Sequence, residues 1–165
     1  MSGGILFVCL GNICRSPLAE AVARAEFARL GLAVPVASAG TGDWHVGGGA
    51  DPRALAVAAE AGYDLGAHRA RQVRAEDFAR YERVLAMDRA NLRALQRLGT
   101  DAPNPPALFL EYAGFPAPHE VPDPYTGSLD DFRAVLALVR GGVLALARAW
   151  GARVPETAAA ALRRP

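Results

Sequence analysis

The run Cys9-Leu10-Gly11-Asn12-Ile13-Cys14-Arg15-Ser16-Pro17 brings a thiol, a guanidinium and a hydroxyl together within a few residues. A cysteine thiolate is a nucleophile. The planar fork of an arginine matches two oxygens of a phosphate group. Gly11 and Asn12 are residue types that tolerate left-handed backbone geometry, which a loop wrapped around an oxyanion needs. The hydroxyl of Ser16 can hydrogen-bond the Cys9 sulfur and help it leave a phosphorylated intermediate. Together these groups predict nucleophilic displacement at phosphorus. Cys9 attacks, while Arg15 and the backbone amides of Leu10, Gly11, Asn12, Ile13, Cys14, Arg15 and Ser16 hold the phosphate.

Such a loop works only if its amides converge, so the flanking elements matter. Ile5 to Cys9 is a short continuous apolar run, as in a buried parallel strand. A helix follows, with Ser16 placed to cap it, Pro17 suited to its first turn, and Leu18, Val22 and Ala25 as its apolar stripe. Gly31 ends it. A strand-to-helix junction aims amides and the positive end of the helix dipole at one point. The same field favours the thiolate form of a cysteine placed there.

Further along, Val34 to Ala39 reads as a second strand, and Asp51-Pro52 opens a helix that Gly62 closes. Arg83 to Met87 reads as a third strand, with Asp88 capping a helix that ends at Gly99. A short strand is expected at Leu108 to Leu110. Ser128 and Asp131 form a capping pair for the last helix. Its apolar positions Phe132, Val135, Leu136, Val139, Val143, Leu146, Ala147 and Trp150 recur at helical spacing, interrupted by Gly141-Gly142. Strands alternating with helices predict an α/β domain with a parallel sheet covered on both faces. Ligands of such sheets bind beyond the carboxyl ends of the strands, where the Cys9 loop falls.

The bulk composition narrows the function classes. A chain of 165 residues suits one domain, expected over residues 1–154 with a tail at 155–165. Eighteen basic residues, all arginine, face seventeen acidic ones, and no block of like charge points to nucleic acid or a membrane surface. Two cysteines are too few for a disulfide framework or a cysteine-built zinc site. The N-terminal stretch reads as a strand rather than a signal peptide, and no segment nears the roughly 20 apolar residues of a membrane span. The expected location is the cytoplasm, where thiols stay reduced.

A cysteine followed after five residues by Arg-Ser is the pattern of cysteine-dependent phosphatases. The run VCLGNICRSPLAE resembles the opening of the low-molecular-weight protein tyrosine phosphatase family. SAGTGDWHVG at residues 38–47, DPRA at 51–54, HRARQV at 68–73, DFARYERVLAMDRANLRAL and the DPY at 123–125 are similar to it in the same order. The resemblance extends to about Trp150. It implies a doubly wound fold with a four-stranded parallel sheet. It implies that Asp123, otherwise ordinary turn chemistry before a proline, is the general acid that protonates the leaving group and then activates water. It assigns Asn12, Ser38 and His68 to a hydrogen-bond network bracing the loop. His45 and His119 are given no role. No metal or other cofactor is expected, because Arg15, the loop amides and Asp123 cover the charge needs of the chemistry.

The resemblance also places Leu10, Trp44 and Tyr125 on the walls of the substrate pocket, an apolar and aromatic slot suited to a phosphoaryl ring. The expected substrate is therefore a phosphotyrosine protein or a small aryl phosphate, with phosphate-like oxyanions as inhibitors. Thr126 departs from the second aromatic of many eukaryotic members and leaves that side more open. Ile13 stands where relatives acting on phosphoarginine carry threonine, which favours phosphotyrosine. An arsenate reductase of the same fold is disfavoured, because no relay cysteine lies in RVLAMDRA. A non-hydrolysing anion-binding module is disfavoured by the joint presence of Cys9, Arg15 and Asp123. Family behaviour and the five-residue spacing further suggest a redox pair of Cys9 and Cys14.

Overall fold

The computed structural model describes residues 3–99 and 101–152. The expected tail at 155–165 lies outside the described residues. Four strands, β1 (Ile5–Cys9), β2 (Val36–Gly40), β3 (Arg83–Ala86) and β4 (Ala107–Leu108), pair in the order β2-β1-β3-β4. Every pairing is parallel. Six helices join them: α1 (Arg15–Arg29), α2 (Pro52–Glu60), α3 (Asp77–Arg80), α4 (Arg89–Leu98), α5 (Phe109–Tyr112) and α6 (Leu129–Ala149).

The pleat of β1 divides the core in two. Ile5, Phe7 and Cys9 face a large cluster built with α1, α2, α5 and α6, while Leu6 and Val8 face a smaller one with Phe78 of α3 and Leu95 of α4. All five residues of β1 are buried, as a strand covered on both faces requires. Phe7 and Phe109 meet edge to face at 5.2 Å, locking α5 to the sheet. The doubly wound, four-stranded expectation holds.

Local signals at helix ends are realised. Asp51 caps α2 by accepting from the Arg53 amide at 2.8 Å, with Pro52 opening the helix. Asp88 with Asn91 forms a capping box on α4, and Ser128 with Asp131 forms one on α6. Several local expectations are corrected. Helix α1 begins at Arg15, so Ser16 lies inside it and its hydroxyl serves the Cys9 loop instead of capping. The apolar stripe of α1 uses Leu18, Val22, Ala23 and Phe27, and Ala25 is exposed. The fourth strand ends at Leu108, and Phe109 and Leu110 turn into α5 to reach the core.

The Gly141-Gly142 pair does not interrupt α6, which runs unbroken from Leu129 to Ala149. Its purpose is close approach. A Cβ on Gly142 would lie 2.7 Å from both Phe109 Cζ and Leu110 Cδ2. Both neighbours are fully buried, so neither can move aside freely. Gly142→Val therefore overpacks the α5–α6 contact and lowers stability by about 1–3 kcal/mol, read as a lower urea midpoint with an unchanged slope. An unchanged midpoint would show that this contact is loose.

Candidate active site

The loop between β1 and α1 sits at the carboxyl end of the central strand, flanked by the ends of β2 and β3. Backbone bonds continue the β1–β2 pairing upward, with Thr41 N on Cys9 O and Gly42 N on Leu10 O, both at 2.9 Å. Gly40 lies directly beneath. A Cβ there would meet Leu10 O at 2.8 Å and Asn12 N at 3.1 Å, so only glycine lets the loop settle this close to β2.

Asn12 holds the turn. It is fully buried with φ +56°, the left-handed region that asparagine tolerates better than most residues. Its amide nitrogen donates to Ser16 Oγ at 2.8 Å and Ser38 Oγ at 2.9 Å, and its amide oxygen accepts from Arg71 N at 3.0 Å. His68 Nε2 lies 2.7 Å from the Asn12 carbonyl. A carbonyl can only accept, so that ring nitrogen carries the proton. The expected bracing set of Asn12, Ser38 and His68 is thus assembled from three separate chain segments.

Ser16 Oγ stands 3.0 Å from Cys9 Sγ and 3.3 Å from Ala39 O. Asn12 donates to this hydroxyl, which leaves its single proton to be shared between the sulfur and the Ala39 carbonyl. Arg15 is almost fully buried, with side-chain exposure of 3%. Its Nη1 donates to Asp88 Oδ2 at 2.7 Å and Val121 O at 3.0 Å, and its Nη2 lies 3.6 Å from Asp123 Oδ2. Asp123 is half exposed, and its other oxygen accepts from Tyr125 N at 3.1 Å.

These groups converge on one cavity of about 150 Å³. Cys9, Arg15 and Asp123 line it together with Leu10, Ile13, Trp44 and Tyr125. Trp44 is 69% exposed and Tyr125 50% exposed, so both stand at the mouth rather than in the core. Thr126 lies outside this cavity, on a separate groove against α6 with Pro122 and Leu138. Among the described residues no group of three or more His, Cys, Asp or Glu is placed to hold a metal ion.

Cys14 also lines the cavity, with a different electrostatic character. Burial pushes its thiol up to about 12, and the nearby charges of Asp51, Cys9 and Asp123 add to that effect. Cys14 is therefore a neutral thiol at physiological pH. Both cysteines are free.

Three residues of the site escape a sequence reading. Asp88 reads as a helix cap and is one, through Oδ1 on Asn91 N, yet its Oδ2 holds Arg15. Its position immediately after β3, the neighbour of β1, is the signal that could have found it. Glu20 extends the bracing network by accepting from Ser38 Oγ at 2.7 Å. His45, given no role from sequence, lines the cavity, and its ring lies 3.1 Å from where a Gly11 Cβ would sit. His119 lies elsewhere, beside Glu111.

With this geometry in place, the family relation is direct. Residues 4–157 match the model of the low molecular weight phosphotyrosine protein phosphatases. The chain belongs to that family. It is 46% identical over 157 residues to the low molecular weight protein-tyrosine-phosphatase of Streptomyces coelicolor, covering 90% of this chain and 95% of that one. It is 43% identical to the pig low molecular weight phosphotyrosine protein phosphatase, covering 79% and 85% of the two chains. Among solved structures, a low molecular weight phosphotyrosine phosphatase of Vibrio cholerae O395 superposes with a TM-score of 0.83 at 36% identity, covering 90% of this chain and 96% of that one. The tyrosine phosphatase Wzb of Escherichia coli K30, solved in complex with sulphate, gives 0.81 at 32% identity over 92% and 100% of the chains. The family's α/β fold is the fold observed here, and the protein is an enzyme of the protein-tyrosine-phosphatase class.

The bracing role of Asn12 separates into backbone and side-chain parts. Asn12→Ala loses two buried side-chain hydrogen bonds and one part-buried one, and places a Cβ residue without local support in the left-handed region, so stability falls by about 3 kcal/mol or more. Asn12→Gly relieves the backbone part and recovers about 1 kcal/mol of that loss in urea unfolding. Catalytic efficiency falls to a similar degree in both. Equal stability of the two variants would show that the left-handed turn carries no strain.

Proposed function

We propose that the protein hydrolyses phosphotyrosine and related aryl phosphate monoesters through a phosphocysteine on Cys9. The observation that carries this reading is the convergence of Cys9, Arg15 and Asp123 on one cavity, with Asp123 Oδ2 3.6 Å from Arg15 Nη2. The Arg15 fork and the loop amides hold the phosphate oxygens. The Cys9 thiolate attacks phosphorus, the S–P bond forms and the P–O bond to the aryl group breaks. The Asp123 carboxyl gives its proton to the departing phenolate oxygen. In the second half the Asp123 carboxylate takes a proton from water, the water oxygen bonds to phosphorus, and the S–P bond breaks. The Ser16 hydroxyl stabilises the thiolate that returns.

Leu10, Trp44 and Tyr125 supply flat apolar walls at the mouth, which suit the ring of a phosphotyrosine more than an alkyl phosphate. Phosphate-like oxyanions compete for the same loop. No helix among the described residues is long and apolar enough to cross a membrane. A nucleophile that must stay reduced fits the cytoplasm.

Turnover of para-nitrophenyl phosphate tests the reading directly. It proceeds best in mildly acid solution without added metal and disappears in Cys9→Ser. In Asp123→Asn the rate falls by about 10²–10³-fold and loses its dependence on an acid group. Hydrolysis that survives in Cys9→Ser would remove the thiol from the mechanism.

Cys9 and Cys14 line the same cavity, which supports a protective disulfide between them. Burial keeps Cys14 protonated, so peroxide oxidises Cys9 first, to a sulfenic acid. The Cys14 thiol then displaces water and closes the disulfide, which an added dithiol reopens. Peroxide-treated wild type recovers activity with dithiothreitol, and Cys14→Ser recovers far less. Equal recovery in the two proteins would exclude the disulfide.

A further inference from the structure

Arg53 does not line the site cavity, yet it contacts the Asp123 loop directly and reaches the phosphate loop through Asp51. It stands in the first turn of α2, next but one to the Asp51 cap. Its Nε and Nη2 grip the Asp51 carboxylate at 3.0 and 2.9 Å. The Asp51 backbone amide in turn donates to Ile13 O, in the phosphate loop, at 2.9 Å. The remaining nitrogen, Nη1, donates to Gly127 O at 3.0 Å, at the far end of the loop that carries Asp123. The guanidinium carbon also lies 4.5 Å from the ring centre of Phe132 and 5.7 Å from that of Tyr125.

The loop it holds is short and internally bonded. Gly127 N donates to Pro124 O at 2.8 Å, and Tyr125 N to Asp123 Oδ1 at 3.1 Å. A loop tied together in this way moves as one piece, so fixing Gly127 and the Tyr125 ring fixes the direction of Asp123. An arginine suits this position because its fork meets a carboxylate and a carbonyl in one plane while its faces stack on rings. A lysine ammonium keeps the charge toward Asp51 and lacks the plane.

We infer that Arg53 is a positioning residue that joins the acid loop to the phosphate loop and sets Asp123 for proton transfer. The inference rests on the phosphatase reading, in which Asp123 protonates the leaving group. Misplacing an acid raises the barrier most where the leaving group most needs a proton. Phenolate needs it more than para-nitrophenolate does.

The experiment compares kcat/KM on phenyl phosphate and para-nitrophenyl phosphate for wild type, Arg53→Lys and Arg53→Ala. Melting temperatures are read alongside. Arg53→Lys loses about 10-fold more on phenyl phosphate than on para-nitrophenyl phosphate, a graded loss that general softening of the fold does not produce. Arg53→Ala is graded more steeply if it folds, and Arg53→Lys decides the matter if it does not. Added to Asp123→Asn, Arg53→Lys brings no further discrimination between the two esters, because the acid it positions is already gone. Equal losses on the two esters, no loss, or the same added discrimination without Asp123 would each overturn the inference. Wild type that turns over neither ester would instead fail the phosphatase reading itself, and the inference with it.

Discussion

A buried polar loop has to be satisfied before any substrate arrives, and the side-chain amide of Asn12 is what satisfies it. The loop after β1 folds over the end of β2, and the Asn12 side chain inside it is fully buried. There an unpaired donor or acceptor costs about 1–3 kcal/mol. Asn12 uses both amide hydrogens and its oxygen on Ser16, Ser38 and Arg71 N, while its own carbonyl takes His68. No buried side-chain nitrogen or oxygen among the described residues lacks a partner. These bonds hold the loop in place without any contribution from a ligand.

Electrostatics follow from that frame. Arg15 is a cation removed from water, a placement stable only with an anionic partner and hydrogen bonds. Asp88 and the Val121 carbonyl supply these on one nitrogen, and Asp123 approaches the other. The site thus holds its positive charge with one fixed carboxylate and one half-exposed carboxylate near the reacting group. That division suits a carboxylate that must change protonation during a reaction cycle, since the fixed one already balances the arginine. The same negative surroundings, together with burial, keep the neighbouring Cys14 neutral.

The fold is economical in how it delivers these groups. Cys9 ends β1, Arg15 opens the helix that follows, Asp88 lies just beyond β3, and Asp123 stands on the loop between α5 and α6. Helix caps hold the same segments from the other side. Asp88 caps α4 while gripping Arg15, and Asp51 caps α2 while gripping Arg53. Asp88 gives one oxygen to the helix and one to the arginine, whereas Asp51 holds its arginine with both oxygens and shares Oδ1 with the helix amide.

How much of this was legible in the chain depends on range. The β1 run, the loop spacing from Cys9 to Arg15, and the capping pairs at Asp51, Asp88 and Ser128 are local patterns. They depend on residues within a few positions of one another, and the sequence by itself determined them. The alternation of strands and helices determined the parallel sheet in the same way. The roles proposed for Asp123, Ser38 and His68 come only from family resemblance, because nothing local distinguishes an Asp-Pro turn or a lone histidine. What only the tertiary structure decided involves partners far apart in the chain. The Ser16 hydroxyl serves the loop instead of capping, since α1 begins one residue earlier and buries it against Cys9, Asn12 and Ala39. Gly142 reads as a helix breaker and is instead the notch that admits Phe109 and Leu110. Asp88 reads as a cap and also neutralises an arginine 73 positions earlier. Local propensity constrains a residue's backbone. It does not reveal which distant atom will face its side chain once the core has closed.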